Sequence, residues 1–454
     1  MFSTVDPATG DRLERFEYLE ERALEAKLAA AATASQRWAA TGVAERAALL
    51  NAVAGTLRTQ CDTLAATAVR EMGKPLPQAR AEIEKCAWCC EYFAQNAAPM
   101  LAPQAAPSNA AHSYVAFRPL GVVFAIMPWN FPFWQLFRAA APALLAGNGV
   151  LLKHAENTAR CGLEIERIFR EAGAPEDLFA TLLISNERAD ALIADPRIAA
   201  VTLTGSERAG VAVASAAGAV LKKCVLELGG SDAFVVLADA DLGSACPAAV
   251  TARFQNNGQS CIAAKRFIVV PEVYDEFVER FVTLAAAQRV GNPMDDGVAL
   301  GPCARADLRA GVDAQVRDTV AGGARLNLGG KTIAGAGFFY EATIVSDVVP
   351  GMRMFDEEVF GPAAAIVRAR DAEDAIALAN ASSYGLGFSI WTRDTARAEA
   401  LAPHVQAGAV FVNAVVASDP RLPFGGVKKS GYGRELSAFG VHEFANVQTV
   451  WLSP

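Results

Sequence analysis

The chain has 454 residues, of which 52% are apolar and 20% are charged. This length exceeds what one hydrophobic core usually supports, so we expect two or three domains. The formal net charge is −8, and charges of both signs are spread along the chain without a cluster rich in lysine and arginine, which disfavours nucleic acid and anionic membranes as partners. Composition favours a small-molecule partner.

Residues 1–15 lack the basic segment and apolar stretch of a secretory signal, so we expect a cytoplasmic protein. The most apolar run, 139–152, is interrupted by proline and glycine and is too short for a membrane span, which indicates buried protein core. The nine cysteines are irregularly spaced, as is typical of reduced thiols. We expect Cys86, Cys89 and Cys90 to be buried on a helix and not to bind zinc, because no histidine lies near them in the sequence.

Helical patterns occupy the first part of the chain. Apolar and charged residues recur at helical spacing from residue 17 to about residue 96, with breaks near Gly42 and at Gly73-Lys74-Pro75. This pattern predicts three successive helices.

Beyond Tyr114, short apolar or β-branched runs alternate with amphipathic helices, which is typical of α/β units with parallel sheets. A second series of this kind follows the first, from about 242 to 413. The predicted strands are 122–127, 149–153, 179–183, 199–204, 220–227, 233–236, 266–270, 363–367, 389–392 and 409–413. Two end segments, 111–117 and 447–452, read as strands that could pair with each other or with another subunit.

Three separated segments carry residue types suited to one reaction. Cys261 follows the polar, glycine-containing turn 254–260, a position where a thiol can be exposed and act as a nucleophile. Glu227 lies between leucines at a strand end, where desolvation would raise its pKa and suit it to act as a general base for water. Asn130 lies in a turn stiffened by two prolines and would be a preorganised oxyanion donor. Taken alone, each has an ordinary reading: a structural cysteine, a glutamate paired with a lysine, and a loop asparagine.

In this order and at this spacing, the three segments resemble the aldehyde dehydrogenase superfamily. The resemblance spans the chain through Glu357-Glu358-Val359-Phe360-Gly361-Pro362 and Pro423-Phe424-Gly425-Gly426. It implies an α/β fold with two doubly wound domains, a Rossmann-like cofactor domain and a catalytic domain, and a small β oligomerisation arm in a homodimer or homotetramer. The implied boundaries are 1–98 and 118–228 for the cofactor domain, 229–428 for the catalytic domain, and 99–117 and 429–454 for the arm.

The resemblance also implies a reaction, the oxidation of an aldehyde to an acid. The Cys261 thiolate attacks the carbonyl, Asn130 and the backbone N–H of Cys261 hold the oxyanion, and hydride passes to a nicotinamide. Water deprotonated by Glu227 then hydrolyses the thioester. The cofactor supplies the redox chemistry and the protein supplies position and electrostatics, so we expect no metal.

A phosphate-binding turn is implied at Gly205 and Ser206, which follow a strand and open a helix whose free N–H groups can face a pyrophosphate. Lys153 and Glu156 match the family's adenosine-ribose positions, where an acidic residue disfavours a 2′-phosphate. We therefore expect NAD as the cofactor, with NADP as the alternative.

The remaining cofactor residues that the resemblance implies are Trp129, Glu358 and Phe360. Glu358 matches the position that binds the nicotinamide ribose. Its ordinary reading is a surface carboxylate beside Asp356 and Glu357.

The segment 418–436 resembles the shorter type of bacterial succinate-semialdehyde dehydrogenase. Arg138 matches the position where such enzymes carry an arginine for the substrate carboxylate, which a guanidinium can bind by two parallel hydrogen bonds. Gln255 stands where longer relatives place a second arginine, so this clamp could be incomplete. Ser418 and Arg421 are candidate replacements, although Arg421 could equally be a structural arginine bonded to loop carbonyls.

Three alternatives remain at this point. The substrate could be another aldehyde, such as glutaric semialdehyde or a neutral aldehyde. The thioester could pass to coenzyme A, which Glu227 disfavours because acylating relatives commonly lack this base. The chain could also be a catalytically silent binding protein, because a fold alone does not fix activity.

Overall fold

The computed structural model describes residues 1–453, and the chain opens with an antiparallel hairpin followed by a layer of helices. The hairpin is β1 (Phe2–Val5) and β2 (Arg12–Phe16). The helices are α1 (Glu21–Ala39), α2 (Val43–Thr59), α3 (Cys61–Met72), α4 (Leu76–Gln95) and α5 (Ala97–Leu101). The prediction of three helices was wrong because the chain also breaks at Gln60, whose φ of −110° and ψ of 12° lie outside the helical region.

The first parallel sheet follows two strands, β3 (Gln104–Ala105) and β4 (His112–Pro119). Its strands and crossover helices are β5 (Val122–Met127), α6 (Trp134–Leu145), β6 (Gly149–His154), α7 (Ala159–Glu171), β7 (Phe179–Thr181), α8 (Asn186–Ala194), β8 (Ile198–Thr204), α9 (Glu207–Ala219) and β9 (Lys223–Glu227). The strand order β9-β8-β5-β6-β7 is doubly wound, with its switch point between β5 and β8. Strand β9 begins later than predicted because Leu221, with a φ of 57°, forms a left-handed turn before it.

The second sheet has seven strands in the order β12-β13-β14-β11-β10-β16-β17. Its pairs are parallel except at the edge, where β12 runs antiparallel to β13. The elements are β10 (Asp232–Val236), α10 (Leu242–Phe254), β11 (Ala264–Val269), α11 (Pro271–Ala286), α12 (Ala306–Ala321), β12 (Arg325–Leu328), β13 (Thr343–Ser346), α13 (Arg353–Asp356), β14 (Ala363–Arg368), α14 (Ala372–Asn380), β15 (Tyr384–Gly385), β16 (Gly387–Trp391), α15 (Thr395–Leu401) and β17 (Ala409–Val412). The predicted α/β class with two wound sheets is confirmed.

The C-terminal segment returns to the first half of the fold. Its elements are β18 (Val427–Lys428), β19 (Gly431–Tyr432), α16 (Ser437–Glu443) and β20 (Ala445–Leu452). Strand β18 pairs with β15, and β19 adds an antiparallel edge to the first sheet beside β9. Strand β20 pairs with β4 along its whole length, and β3 completes this third sheet. The two predicted end segments therefore pair with each other.

The buried interior agrees with the sequence pattern. The run 139–152 is buried throughout, in α6 and β6. Cys86, Cys89 and Cys90 lie on α4 and are buried in the core between the helical layer and the first sheet, as predicted. No helix within residues 1–453 is both long and apolar enough to cross a membrane.

Candidate active site

The first sheet brings distant segments together at one edge. Parallel strands end on the same side, and Met127 of β5 pairs with His154 of β6, while Thr204 of β8 pairs with Glu227 of β9. The turn after β5 carries Trp129 and Asn130, and the turn after β8 carries Gly205 and Ser206. Because the switch point lies between β5 and β8, this edge is where a doubly wound sheet binds ligands.

A tight turn after α10 presents Cys261. Asn256, Asn257 and Gly258 are all left-handed, with φ of 57°, 58° and 71°, a region that asparagine and glycine tolerate better than other residues. Position 258 also requires glycine sterically, because a Cβ there would lie 2.3 Å from the Gly361 carbonyl oxygen. The turn ends at the wall of a cavity with the Cys261 side chain partly exposed.

Side-chain amides tie this turn to the turn after β5. Asn256 Nδ2 donates to the carbonyl oxygens of Asn130 and Gln259, each at 2.9 Å. Asn130 is buried, and its Nδ2 donates to the Gln259 carbonyl oxygen at 3.1 Å. An amide has two N–H donors, so the second can serve an oxyanion formed at Cys261.

Glu227 is the last residue of β9 and is buried. Within residues 1–453 neither of its carboxylate oxygens has a hydrogen-bond partner. Burial raises the pKa of Glu227 well above its ordinary value, with a further contribution from Glu435. Gly425 makes room for it, since a Cβ at that position would lie 2.8 Å from Glu227 Oε1. A buried, unpaired carboxyl of this kind is a stronger base than an exposed glutamate and can accept a proton from water.

Two cavities meet at the thiol, and both are lined by Cys261 and Gln135. The α4–α6 cavity, about 310 Å³, is also lined by Lys85, Trp134, Arg138, Gln255 and Ser418. The sheet-edge cavity, about 350 Å³, is also lined by Trp129, Asn130, Gly205, Ser206, Gly229, Glu358 and Phe360. The sulfur is thus accessible from both cavities. A group that reacts with one ligand while a second ligand is bound beside it needs such a position. Glu227 lines neither cavity, although its neighbours Leu228 and Gly229 line the sheet-edge cavity.

The sheet-edge cavity has the groups that a dinucleotide needs. Ser206 caps α9 through a 3.3 Å hydrogen bond from the Ala209 N–H, which leaves other N–H groups of the first turn free for a phosphate. Glu358 accepts the Gly230 N–H at 2.9 Å. A Cβ at Gly229 would lie 2.5 Å from Glu358 Oε2, so the glycine allows the carboxylate to approach the backbone closely.

Lys153 and Glu156 lie outside that cavity's lining, where β6 ends. Lys153 is buried, which lowers its pKa. Tyr18, just beyond β2, donates its O–H to Glu156 Oε1 at 2.5 Å. No sequence signal links Tyr18 to Glu156, because the two residues are 138 positions apart.

The expected carboxylate ligands have different surroundings. Arg138 lines the α4–α6 cavity, but its Nε pairs with the buried carboxylate of Glu435 and its Nη2 donates to Thr204 Oγ1 at 3.3 Å. Ser418 lines the same cavity and is buried. Arg421 does not line it: its exposed side chain binds the Asp419 carboxylate at 2.9 and 2.6 Å. Arg421 is therefore a loop-stabilising arginine, bonded to a carboxylate and not to loop carbonyls.

Lys85 and Trp134 are cavity residues that the sequence interpretation missed. Lys85 Nζ donates to Ser418 Oγ at 3.0 Å, and Trp134 Nε1 donates to the same oxygen at 3.0 Å. Lys85 Nζ also lies 4.4 Å from the centre of the Trp134 ring. A lysine on a helix is usually solvated, so only the tertiary fold reveals its position in the cavity.

The surroundings of Cys261 favour its neutral thiol over the thiolate. Burial raises the pKa of Cys261 to about 11, against the opposing effects of Arg138 and Lys265. Lys265 is buried and donates to the carbonyl oxygens of Ser260 at 2.7 Å and Cys261 at 2.5 Å. The lysine therefore fixes the backbone at Cys261, while a proton acceptor is needed to form a thiolate there.

Comparisons with known proteins agree with this geometry. The model of the aldehyde dehydrogenase family matches residues 1–450. The chain is 49% identical to the succinate semialdehyde dehydrogenase [NAD(P)+] of Escherichia coli K12 over 448 residues, 99% of this chain and 97% of that one. It is 47% identical to succinate-semialdehyde dehydrogenase [NADP(+)] 1 of Mycobacterium tuberculosis H37Rv, covering 99% of both. The crystal structure of succinic semialdehyde dehydrogenase from Streptococcus pyogenes with NADP+ matches with a TM-score of 0.98, 36% identity and full coverage of both chains.

Proposed function

This chain belongs to the aldehyde dehydrogenase family, and on that premise we propose that it oxidises succinic semialdehyde to succinate with reduction of NAD(P)+. The observation that carries the proposal is the position of Cys261, which lines both the α4–α6 cavity and the sheet-edge cavity. An aldehyde in the first cavity and a nicotinamide in the second would both reach the sulfur. Support for the semialdehyde comes from the names of the similar proteins and from the cationic lining of the α4–α6 cavity.

The residues of the chain divide the chemistry between them. Cys261 sulfur forms a bond to the aldehyde carbon, and its thiol proton passes to an acceptor. The Asn130 amide and the Cys261 backbone N–H stabilise the oxyanion. As the oxyanion collapses to the thioester, the aldehyde hydrogen would leave with its electron pair as hydride. Glu227 then takes a proton from water, the water oxygen bonds to the thioester carbon, and the C–S bond breaks, so that the acid is released and the sulfur regains a proton.

The sheet-edge cavity suits a nicotinamide dinucleotide. The first turn of α9 offers N–H groups to a pyrophosphate, and Glu358 offers carboxylate oxygens to ribose hydroxyls. When bound, the dinucleotide supplies the hydride acceptor for the oxidation. Lys153 and Glu156 would hold the adenosine ribose, and Trp129 and Phe360, in edge contact with ring centres 5.7 Å apart, would flank the nicotinamide end.

A homodimer or homotetramer is the assembly we propose. Strand β20 is an edge strand of the third sheet and exposes Val447, Trp451 and Leu452. An unpaired edge with apolar side chains favours association with a second copy.

The test is an NAD(P)H absorbance assay with succinic semialdehyde, glutaric semialdehyde and butanal, each with NAD+ and NADP+. We expect the largest kcat/KM for succinic semialdehyde. The variant Cys261→Ala should lose oxidation with every aldehyde but keep NAD+ binding by calorimetry. Unchanged turnover in Cys261→Ala would refute the mechanism, and a preference for butanal would refute the substrate.

A further inference from the structure

The charged side chains of the α4–α6 cavity are not equally free to bind a ligand. Glu82 forms a buried ion pair with Lys74 and accepts the N–H groups of Phe133 and Trp134 at 2.8 and 2.9 Å. Arg138 forms a buried ion pair with Glu435. In both cases a neighbour already compensates the charge.

Lys85 differs from both of these residues. It lines the same cavity from α4 and, in the described part of the chain, forms no ion pair. Asp419, the carboxylate whose charge acts on Lys85, is itself bonded to Arg421. Lys85 therefore carries the uncompensated positive charge of the cavity. Burial, followed by the charge of Arg138, lowers its pKa to about 8, so most of it is protonated at neutral pH.

Ser418 provides an independent indication of a ligand. A hydroxyl has one donor and two acceptor positions. Lys85 Nζ and Trp134 Nε1, both at 3.0 Å, use the two acceptor positions of Ser418 Oγ. Its hydrogen has no acceptor among residues 1–453, although the side chain is buried. A buried donor without an acceptor is unfavourable, and an anion in the cavity would satisfy it.

We propose that Lys85 is the residue that binds the substrate carboxylate, with the Ser418 hydroxyl donating to the same group. Lysine has two further N–H donors beyond the one given to Ser418, so the ammonium group can bind the anion without breaking that contact. Arg138 is then a positioning residue, because its charge is compensated by the ion pair with Glu435. This assignment rests on the proposed semialdehyde function and names the group that selects an anionic aldehyde.

The test compares two substrates of equal length, succinic semialdehyde and its neutral amide analogue, by the ratio of their kcat/KM values. In Lys85→Met the ratio should fall by about 10- to 100-fold, the range expected for loss of one charge-assisted hydrogen bond. Lys85→Arg should restore part of it, because charge is retained. The matched control is Lys331→Met, the same substitution at an exposed lysine, which should keep the wild-type ratio.

A ratio in Lys85→Met within twofold of wild type would overturn the assignment. If that variant does not fold, Ser418→Ala is the second test: a fall in the ratio of about fivefold or more supports the shared anion site, and an unchanged ratio overturns it. The wild-type ratio tests the proposed function separately. A wild-type enzyme without preference for the anionic substrate would refute the semialdehyde function, whatever the variants show.

Discussion

Replacing Arg138 with methionine tests whether this arginine supports the site or binds the substrate directly. The side chains of Arg138 and Glu435 are 2% and 0% exposed, so the variant leaves a buried carboxylate without its counter-charge. Removing one partner of a buried ion pair costs about 3–5 kcal/mol. Since Glu435 also raises the pKa of Glu227, loss of the guanidinium should affect the general base as well.

The assay is urea unfolding together with kcat/KM for succinic semialdehyde and butanal. We expect Arg138→Met to unfold at a lower urea concentration and to lose activity with both aldehydes by a similar factor. The double variant Arg138→Met/Glu435→Met is the control, and it should recover most of the stability because neither member of the pair is left buried without its counter-charge. Wild-type stability in the single variant, or a loss confined to succinic semialdehyde, would refute the reasoning and make Arg138 a direct carboxylate ligand.

Three further predictions concern the base and the cofactor. Glu227→Gln should turn over about 100- to 10,000-fold more slowly and should not release NAD(P)H in a rapid burst, because thiolate formation and thioester hydrolysis both lose their base; an undiminished steady rate, or a full rapid burst, would contradict this. Because Glu227 has a raised pKa and acts when deprotonated, wild-type kcat should increase as pH rises above the range in which an ordinary glutamate titrates, whereas a flat profile there would exclude its deprotonation as the limiting requirement. Tyr18→Phe removes the hydrogen bond to Glu156, so the carboxylate can move away from a 2′-phosphate, and the NADP+ to NAD+ ratio of kcat/KM should rise about fivefold, for a bond worth about 1 kcal/mol. An unchanged cofactor ratio would mean that Tyr18 does not hold Glu156 in place.

The sequence was sufficient to place the candidate reacting groups on the fold, because their positions follow from local patterns and one topological rule. Strand β5 lies where its apolar run predicts. The positions of the turns after β5 and β8 can be predicted from where these two strands end. Parallel strands with a switch point between β5 and β8 must bring Asn130 and Gly205 to one edge. The left-handed turn before Cys261 is likewise consistent with its two asparagines and glycine.

Contacts between distant side chains were not predictable in the same way. Arg138 and Glu435 are 297 residues apart, and Lys85 and Ser418 are 333 apart. No periodicity or turn signal reports on such a pair, since each residue is locally ordinary in its own helix or loop. The position of Arg138 suggested a substrate ligand, but only the fold shows that its Nε–H is donated to the buried carboxylate of Glu435.

The electrostatics of the site indicate how one carboxyl group can serve both halves of the reaction. The Arg138 charge interacts with both Glu227 and Cys261, so the two groups share one electrostatic environment. Burial raises the pKa of the thiol to about 11 and that of Glu227 well above its ordinary value. A thiol with that pKa holds little thiolate at neutral pH, and a carboxyl with a normal pKa would be too weak a base to accept its proton. The burial that suppresses the thiolate therefore also strengthens the base that can generate it, and the same Glu227 can later accept the proton of the hydrolytic water.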